Sequence, residues 1–154
     1  MTEHRILTLW QPWAGLMAAG LKTIETRSWS TKFRGPIAIH AAKRAVDLRT
    51  VAAFGDLVDR IDTGLWQQCH ATKASFRALG AIVAVGNLVD VVPTTSLIDL
   101  SDLEAGLGDY SRGRFGWVFE DIVALPEPIS FRGGQGLRRL DAATTRSIAW
   151  RTSP

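Results

Sequence analysis

The chain has 154 residues, of which 46% are apolar and 21% charged, which fits a single globular domain over residues 1–154 and excludes a disordered chain. The single cysteine, Cys69, excludes an intrachain disulfide, and without any metal-ligand spacing around it we expect no metal and no cofactor. No segment approaches the ~20 apolar residues of a membrane span, and the N-terminus lacks the apolar core of a signal peptide, so we expect a cytoplasmic protein.

The charges are unevenly distributed along the chain. The net charge is +3, but residues 1–50 carry +5, residues 51–131 carry −6 and residues 132–154 carry +4. This segregation favours one basic face built from both ends of the chain and suited to a polyanion. Scattered, solvated surface charges would give the same counts, and charge alone does not decide between the two interpretations.

The N-terminal part of the chain predicts strands around one short helix. We expect a strand over 5–10 and a short helix over 12–19 that ends at Gly20. Residues 22–29 alternate between a polar, charged face and a second face, which predicts another strand. A turn and a short strand over 37–42 follow.

The remaining sequence predicts further helices and strands. Apolar residues spaced by three and four predict a helix over 45–61, and a short helix or irregular segment is expected over 64–79. Strands are expected over 81–92, where Gly86 indicates a bulge, and over 114–125. The other predicted elements are an acidic, turn-rich stretch over 94–109, then a strand, a Gly-rich loop and a short extended segment over 126–140, and a final helix capped by Asp141.

The order of these elements indicates the fold class. Five or six strands are interrupted by helices without strict alternation, which is typical of α+β proteins and not of a doubly wound parallel sheet. We therefore predict an α+β fold, with a small mixed β-barrel and flanking helices.

Cations lie beside aromatic residues in the segment from 8 to 43. Lysine and arginine attract phosphates, and bases stack on flat rings for ~1–3 kcal/mol each, so this pattern favours single-stranded nucleic acid. The tryptophans could equally be core residues; the core interpretation is favoured for Trp10, inside a predicted strand, and is balanced for the others. The candidate binding residues are Trp13, Lys22, Arg27, Trp29, Arg34, His40, Lys43, Tyr110 and Ser111.

Three of these candidates have a competing structural interpretation. His40 stands between small apolar residues, where a histidine is more often a hydrogen-bonded structural residue. Tyr110 and Ser111 belong to a loop before a strand, which is typical of the rim of a site but also of a solvated turn. The Gly-rich stretch 131–139 offers arginines and backbone N–H groups to a phosphate, although it lacks the features of a nucleotide-binding loop.

Lys22 and Glu25 are the candidate catalytic pair. Glu25 and Arg27 share one face of the predicted strand, and Lys22 stands at its start. A lysine near an arginine loses its proton more readily, and a carboxylate within reach could act as a general base for water. A surface ion pair worth ~0–1 kcal/mol explains the same spacing, and spacing alone favours it. We expect a Lys22–Glu25 contact or an ordered anion at Lys22. In an enzyme, we expect loss of turnover with an intact fold on Lys22→Ala.

The ordered blocks Gly20, Lys22, Glu25 and Arg27, then FRGPIAIHAAK (33–43), resemble the ASCH family (activating signal cointegrator homology). The similarity extends over about residues 5 to 140. It implies a PUA-like fold and a role connected with RNA; members are associated with nucleic-acid binding, ribonuclease activity and amide hydrolysis of acetylated cytidine. In the amidohydrolase members a threonine follows the lysine by three residues and a distant glutamate completes the site, whereas this chain has Glu25 at the threonine position.

These observations lead to three hypotheses about function. The first is that a basic cleft binds a single-stranded nucleic acid, RNA or alternatively DNA, or a modified nucleobase or nucleoside. The second is a hydrolase of RNA or of a modified nucleoside in the same cleft, with Lys22 and Glu25 as the working pair. The third is a protein-interaction domain, which a large exposed apolar patch would favour.

Overall fold

A computed structural model describes residues 3–45, 49–50, 52–53, 55–56, 77–148 and 150. Residues 49–50, 52–53 and 55–56 are helical, and residue 45 is not. The other residues of the helix predicted over 45–61 lie outside the described residues. The segment predicted over 64–79 also lies outside them, apart from its last three residues. Within the described part, no helix is long and apolar enough to cross a membrane.

Six strands of the described chain form one mixed sheet in the order β2-β5-β4-β3-β1-β6. β1 pairs with β3 in parallel, and the other neighbouring strands are antiparallel. The strands are β1 (Arg5–Leu9), β2 (Ile24–Arg27), β3 (Gly35–Ala41), β4 (Ala81–Pro93), β5 (Phe115–Ser130) and β6 (Leu137–Arg139).

Short helices lie between and after these strands. The side chain of Ser101 caps α2 by accepting from the Glu104 N–H, and Asp141 caps α3 by accepting from the Thr144 N–H, as its sequence position predicted. The helices are α1 (Trp13–Ala18), α2 (Asp102–Gly106) and α3 (Ala142–Ser147), with a 3-10 turn at Thr94–Ser96. The mixed sheet with flanking helices confirms the α+β prediction, and the sheet curves into a half-barrel.

Irregularities in the long β4–β5 pair curve the sheet. The register between these strands shifts at three places, one of them at Gly86, where a bulge was predicted. A side chain at Gly86 would lie 3.1 Å from the Ile122 side chain, so the strands approach closely there. Pro126 and Pro128 fall between the paired residues Ala124 and Ile129, where β5 leaves its register with β4.

An arginine of β2 holds the open side of the half-barrel. The Arg27 Nη2 group donates to the Thr8 carbonyl of β1 at 2.8 Å, although β2 and β1 stand far apart in the sheet order. That carbonyl is accessible because β6 pairs only with Arg5–Leu7 and ends before Thr8. β2 is therefore a buried edge strand drawn towards β1.

The sheet has an apolar core on each face. On the α1 face, Met17 of α1 packs with Leu7, Ile39 and Trp117. On the opposite face, which we call the α3 face, the core comprises Ile6, Ala38, Ile82, Val85, Leu140 and Ile148. Since alternate residues of a strand point to opposite faces, Thr8 lies with Ile6 on the α3 face, while Glu25, paired with Trp117, lies on the α1 face.

Candidate functional site

A cavity of about 370 Å³, which we call the inner cavity, opens on the α1 face. It lies between the start of α1, strand β2 and the loop that follows α2. Its lining residues are Trp13, Glu25, Thr26, Gly106, Leu107, Gly108, Asp109 and Arg114.

Lys22 lies beneath the inner cavity rather than in its wall. Its side chain is fully buried, and Nζ donates to the carbonyl oxygens of Ile24 at 2.5 Å and Leu107 at 2.8 Å. Gly20, at φ +76°, turns the chain after α1 and so directs Lys22 back under the helix. The ammonium lies 5.4 Å from the centre of the Trp13 ring, which forms part of the cavity wall.

The expected contact between Lys22 and Glu25 is present. Lys22 Nζ and Glu25 Oε1 are 3.9 Å apart, and Arg27 Nη2 lies 3.6 Å from the other carboxylate oxygen. Burial lowers the pKa of Lys22, with a smaller lowering from Arg27, while the charges of Glu25 and Glu104 oppose the effect. The carboxylate of Glu25 is thus held between two cations, and it is Glu25 that reaches the cavity.

Glu104 joins this cluster, although the sequence analysis missed it. Its Oε1 accepts hydrogen bonds from both the backbone N–H and the hydroxyl of Thr23, next to Lys22. The sequence does contain a signal, the Ser101-x-x-Glu104 capping box, but that pattern indicates only a helix start. Glu104 Oε2 is buried and has no hydrogen-bond partner within the described residues.

Tyr110 lies beside the same cluster. Burial, followed by the charges of Glu104 and Glu25, raises the pKa of Tyr110 above its usual value, so its hydroxyl remains a donor. That hydroxyl is buried and, like Glu104 Oε2, finds no partner in the described part of the chain. Ser111 instead organises the loop, because its N–H donates to Asp109 and its carbonyl accepts from the Thr94 hydroxyl at 2.8 Å.

Two predicted binding residues have structural roles away from the cavity. The Trp29 ring packs edge-on against Trp117 at 4.7 Å, and its carbonyl accepts from the Trp117 indole N–H. Arg34 lies 3.6 Å from an Asp90 carboxylate oxygen and donates to two nearby carbonyls.

Arg34 and Lys43 cannot contribute to one small site. They flank β3, whose seven residues at roughly 3.3 Å each span about 23 Å. Lys43 and His40 belong to a second cavity, of about 740 Å³, on the α3 face, which we call the outer pocket. The structure therefore divides the predicted binding residues between two sites, the core and the exposed surface.

The two sites differ in charge. Around the inner cavity three cations (Lys22, Arg27 and Arg114) face three carboxylates (Glu25, Glu104 and Asp109), so this region is balanced and not basic. The outer pocket is lined by Thr8, His40, Ala42, Lys43, Leu79, Gly80, Ser130, Phe131, Arg132, Gly133, Gly134 and Gln135, none of them acidic. In the part of the chain that the structure describes, no three His, Cys, Asp or Glu residues come together as a metal site.

The sequence profile of the ASCH domain family matches residues 7–124. The chain belongs to the ASCH domain family. No curated protein sequence matches it. The solved ASCH protein of Zymomonas mobilis has a similar structure, with 16% identity, a TM-score of 0.59 and coverage of 94% of this chain and 92% of that one. Two of its variants are also similar, a tyrosine-to-phenylalanine form (16% identity, TM-score 0.56, coverage 95% and 96%) and a serine-to-alanine form (17%, 0.55, 94% and 93%).

The blocks that suggested the ASCH family now have physical roles. Gly20 supplies the left-handed turn that ends the helix, and Lys22 supplies the buried ammonium under the cavity. Glu25 presents its carboxylate to the cavity, and Arg27 joins that carboxylate to the carbonyl of β1. These blocks therefore build the inner cavity of this ASCH domain and close its half-barrel.

Proposed function

We propose that the inner cavity binds a nucleobase, presented by single-stranded RNA or by a modified nucleoside, on a half-barrel of PUA-like type. The observation that carries this proposal is the Glu25 carboxylate, which reaches the cavity beside the Trp13 ring while two cations compensate its charge. A volume of about 370 Å³ is within the usual range of small-ligand sites.

The chemistry of the lining matches the groups on a base. A carboxylate accepts hydrogen bonds from amino groups such as cytosine N4, and a tryptophan offers a stacking surface. Two further buried groups, the Tyr110 hydroxyl and Glu104 Oε2, have no partner within the described residues, and buried polar atoms normally find one. These two residues do not line the inner cavity, so the contacts to a base come from Glu25 and Trp13.

The family favours RNA as the source of the base. ASCH domains are generally thought to bind RNA. The balanced charge around the inner cavity also suits recognition of a base better than attraction of phosphates, so a free modified nucleoside would bind by the same contacts.

The test is equilibrium binding of nucleosides and short single-stranded RNAs to the wild type and to Glu25→Gln. We expect the variant to lose about tenfold or more in affinity for bases that donate an amino group, since such contacts discriminate by ~1–3 kcal/mol. Asp90→Asn is the matched control, because it removes a carboxylate paired with Arg34 away from the cavity. Equal affinity of wild type and Glu25→Gln would overturn the proposal.

A second candidate function is hydrolysis of a modified nucleoside or of RNA in the same cavity. It is favoured by the lowered pKa of Lys22 and by the meeting of Lys22, Thr23 and Glu104, a lysine, a threonine and a distant glutamate. Because Glu25 and not Lys22 reaches the cavity, Glu25 would take the proton from the attacking water, and Lys22 would position it.

Mass spectrometry of products from N4-acetylcytidine, other modified nucleosides and total RNA tests this second function. In an enzyme, Glu25→Gln abolishes product formation because it removes the group that takes the proton. Lys22→Arg does so too, because a planar guanidinium does not reproduce the contacts by which the buried ammonium positions Glu25. In a protein that only binds, no substrate is consumed, and a folded Lys22→Arg variant keeps most of its affinity. The thermal transition of each variant verifies that it is folded.

A further inference from the structure

We propose that the outer pocket is a second binding site, specific for a phosphate group, on the opposite face of the sheet from the inner cavity. The two sites are lined by different residues. The proposal therefore does not rest on the function proposed for the inner cavity, and either can fail alone.

The outer pocket joins the two basic ends of the chain. Thr8, His40 and Lys43 come from the N-terminal part, and Arg132 and the glycines after it come from the C-terminal part. The two basic segments of the sequence therefore each contribute a cation to the same pocket, and no acidic residue lines that pocket.

The cations of this pocket are available to a ligand. Lys43 and Arg132 are exposed, and neither pairs with a carboxylate within the described residues. Other arginines on the chain do find such partners: Arg5, Arg27, Arg34, Arg114 and Arg139 each have a carboxylate oxygen within 3.6 Å. Two unpaired cations beside one cavity are the charge that a phosphate requires.

The loop after β5 adds backbone donors. The N–H groups of residues 132–135 donate to no acceptor in the described part of the protein. Backbone N–H groups without an internal acceptor can donate to the oxygens of an anion. Arg138 adds positive charge nearby, because its guanidinium lies against Gly134.

A histidine and a glycine give this loop its shape. The Phe131 carbonyl accepts from His40 Nε2 at 2.7 Å, and the Thr8 hydroxyl lies 3.1 Å from Nδ1, which fixes the ring as part of the wall. A side chain at Gly133 would lie 2.6 Å from His40 Nδ1 and 2.8 Å from the Thr8 hydroxyl oxygen. The loop backbone therefore reaches the pocket floor only because residue 133 is glycine.

The neighbouring surface points to a phosphate carried by a nucleotide. Arg44, which follows Lys43, stacks at 3.9 Å over the ring of Trp10, and Trp10 is 57% exposed. An exposed indole next to a phosphate site offers a stacking surface for a base. A single-stranded nucleic acid and a free nucleotide share this chemistry.

Binding of three probes tests the proposal: inorganic phosphate, a nucleoside 5′-monophosphate and a ten-residue single-stranded RNA. The test variant is Lys43→Ala/Arg132→Ala. The matched control is Lys32→Ala/Arg34→Ala, which removes the same charge at the other end of β3.

We expect the test variant to bind RNA at least tenfold more weakly, and the slope of log K against log salt to fall by about 0.7, the value for one single-strand phosphate contact. The Lys32/Arg34 control should stay within about twofold of the wild type. Competition by the monophosphate or by inorganic phosphate would identify a free-phosphate site, and binding of RNA alone would identify a strand-backbone site. Equal losses in the test and control variants, or no binding of any probe at low salt, would overturn the proposal.

Discussion

At the scale of single residues, Lys22 shows how a buried charge is accommodated. Two carbonyls accept from its ammonium, a tryptophan ring lies near it, and Glu25 and Glu104 oppose the effect of desolvation on its pKa. Spacing alone favoured an ordinary surface pair between Lys22 and Glu25. That interpretation is wrong, because Lys22 is buried, and spacing along a strand does not reveal depth.

Lys22→Ala should therefore destabilise the fold as well as change the site. The variant leaves Glu25 without one of its two cations and the Ile24 and Leu107 carbonyls without their donor. Breaking a buried pair typically costs ~3–5 kcal/mol of unfolding free energy, measurable by urea denaturation. Lys32→Ala, an exposed control, should change it by less than about 0.5 kcal/mol. An unchanged midpoint for Lys22→Ala would restore the expectation that the fold stays intact.

The stability contribution of His40 should depend on pH. Burial lowers the pKa of His40 in the folded protein below the ordinary value of 6.5. The hydrogen bond to the Phe131 carbonyl opposes this lowering, and the charge of Arg138 adds to it. Between the folded and unfolded pKa values the unfolded state binds more protons, so the free energy of unfolding falls as the pH decreases below about 6.5.

Denaturation curves at pH 7.5 and pH 5.0 measure this effect. Because His40→Gln removes the titrating group, the variant should lose less stability than the wild type over this range. Equal losses in both proteins would assign the pH dependence to other groups.

At the scale of elements, periodicity predicted most of the observed strands. The bounds of β1 and β4 agree to within one residue with the strands predicted over 5–10 and 81–92. The predicted irregularity occurs at Gly86. The strand expected over 22–29 is observed only over Ile24–Arg27. Lys22 and Thr23 are not part of β2: the Lys22 ammonium donates to the Leu107 carbonyl, and the Thr23 N–H donates to Glu104. The sequence pattern predicts a strand correctly where the alternation of buried and exposed residues continues along the whole strand.

The C-terminal strands were harder to predict for a physical reason. Two strands were expected where β5 runs unbroken over 16 residues, because Pro126 and Pro128 normally end a strand. Here both prolines fall where the register with β4 shifts, so no ladder bond is lost. Glu104 was missed for a related reason, since only tertiary folding brings it to Thr23, 81 residues away.

The Gly-rich loop should tolerate a methyl group at one glycine and not at the other. Gly133→Ala places a carbon against the fixed His40 ring and Thr8, and overpacking of this kind costs ~1–3 kcal/mol. Gly134→Ala is the control, because its new carbon would meet the flexible guanidinium of Arg138, which can move away. Thermal unfolding of both variants checks this expectation, and equal effects would show that the close approach of the loop is not required.

At the scale of the whole molecule, Arg27 joins two strands that are far apart in the sheet order. Replacing it by methionine removes the hydrogen bond to the Thr8 carbonyl and one cation beside Glu25. Hydrogen bonds to charged groups contribute ~1.5–3 kcal/mol, so we expect Arg27→Met to lower the free energy of unfolding by about that amount.

Faster amide exchange in β2 should accompany this loss, because the strand would open from the half-barrel locally. Arg34→Met is the control: its pair with Asp90 is exposed, and such pairs contribute ~0–1 kcal/mol. Unchanged exchange in β2 after Arg27→Met would show that other contacts close the barrel.

Thr8 takes part in both halves of this architecture. Its carbonyl accepts from Arg27, which holds Glu25 of the inner cavity, and its hydroxyl contacts His40 in the wall of the outer pocket. A displacement of β1 caused by a ligand on one face would therefore change contacts of the same residue on the other face. Thermodynamic linkage then requires reciprocity: whatever factor a phosphate in the outer pocket applies to nucleoside affinity, the nucleoside must apply to phosphate affinity.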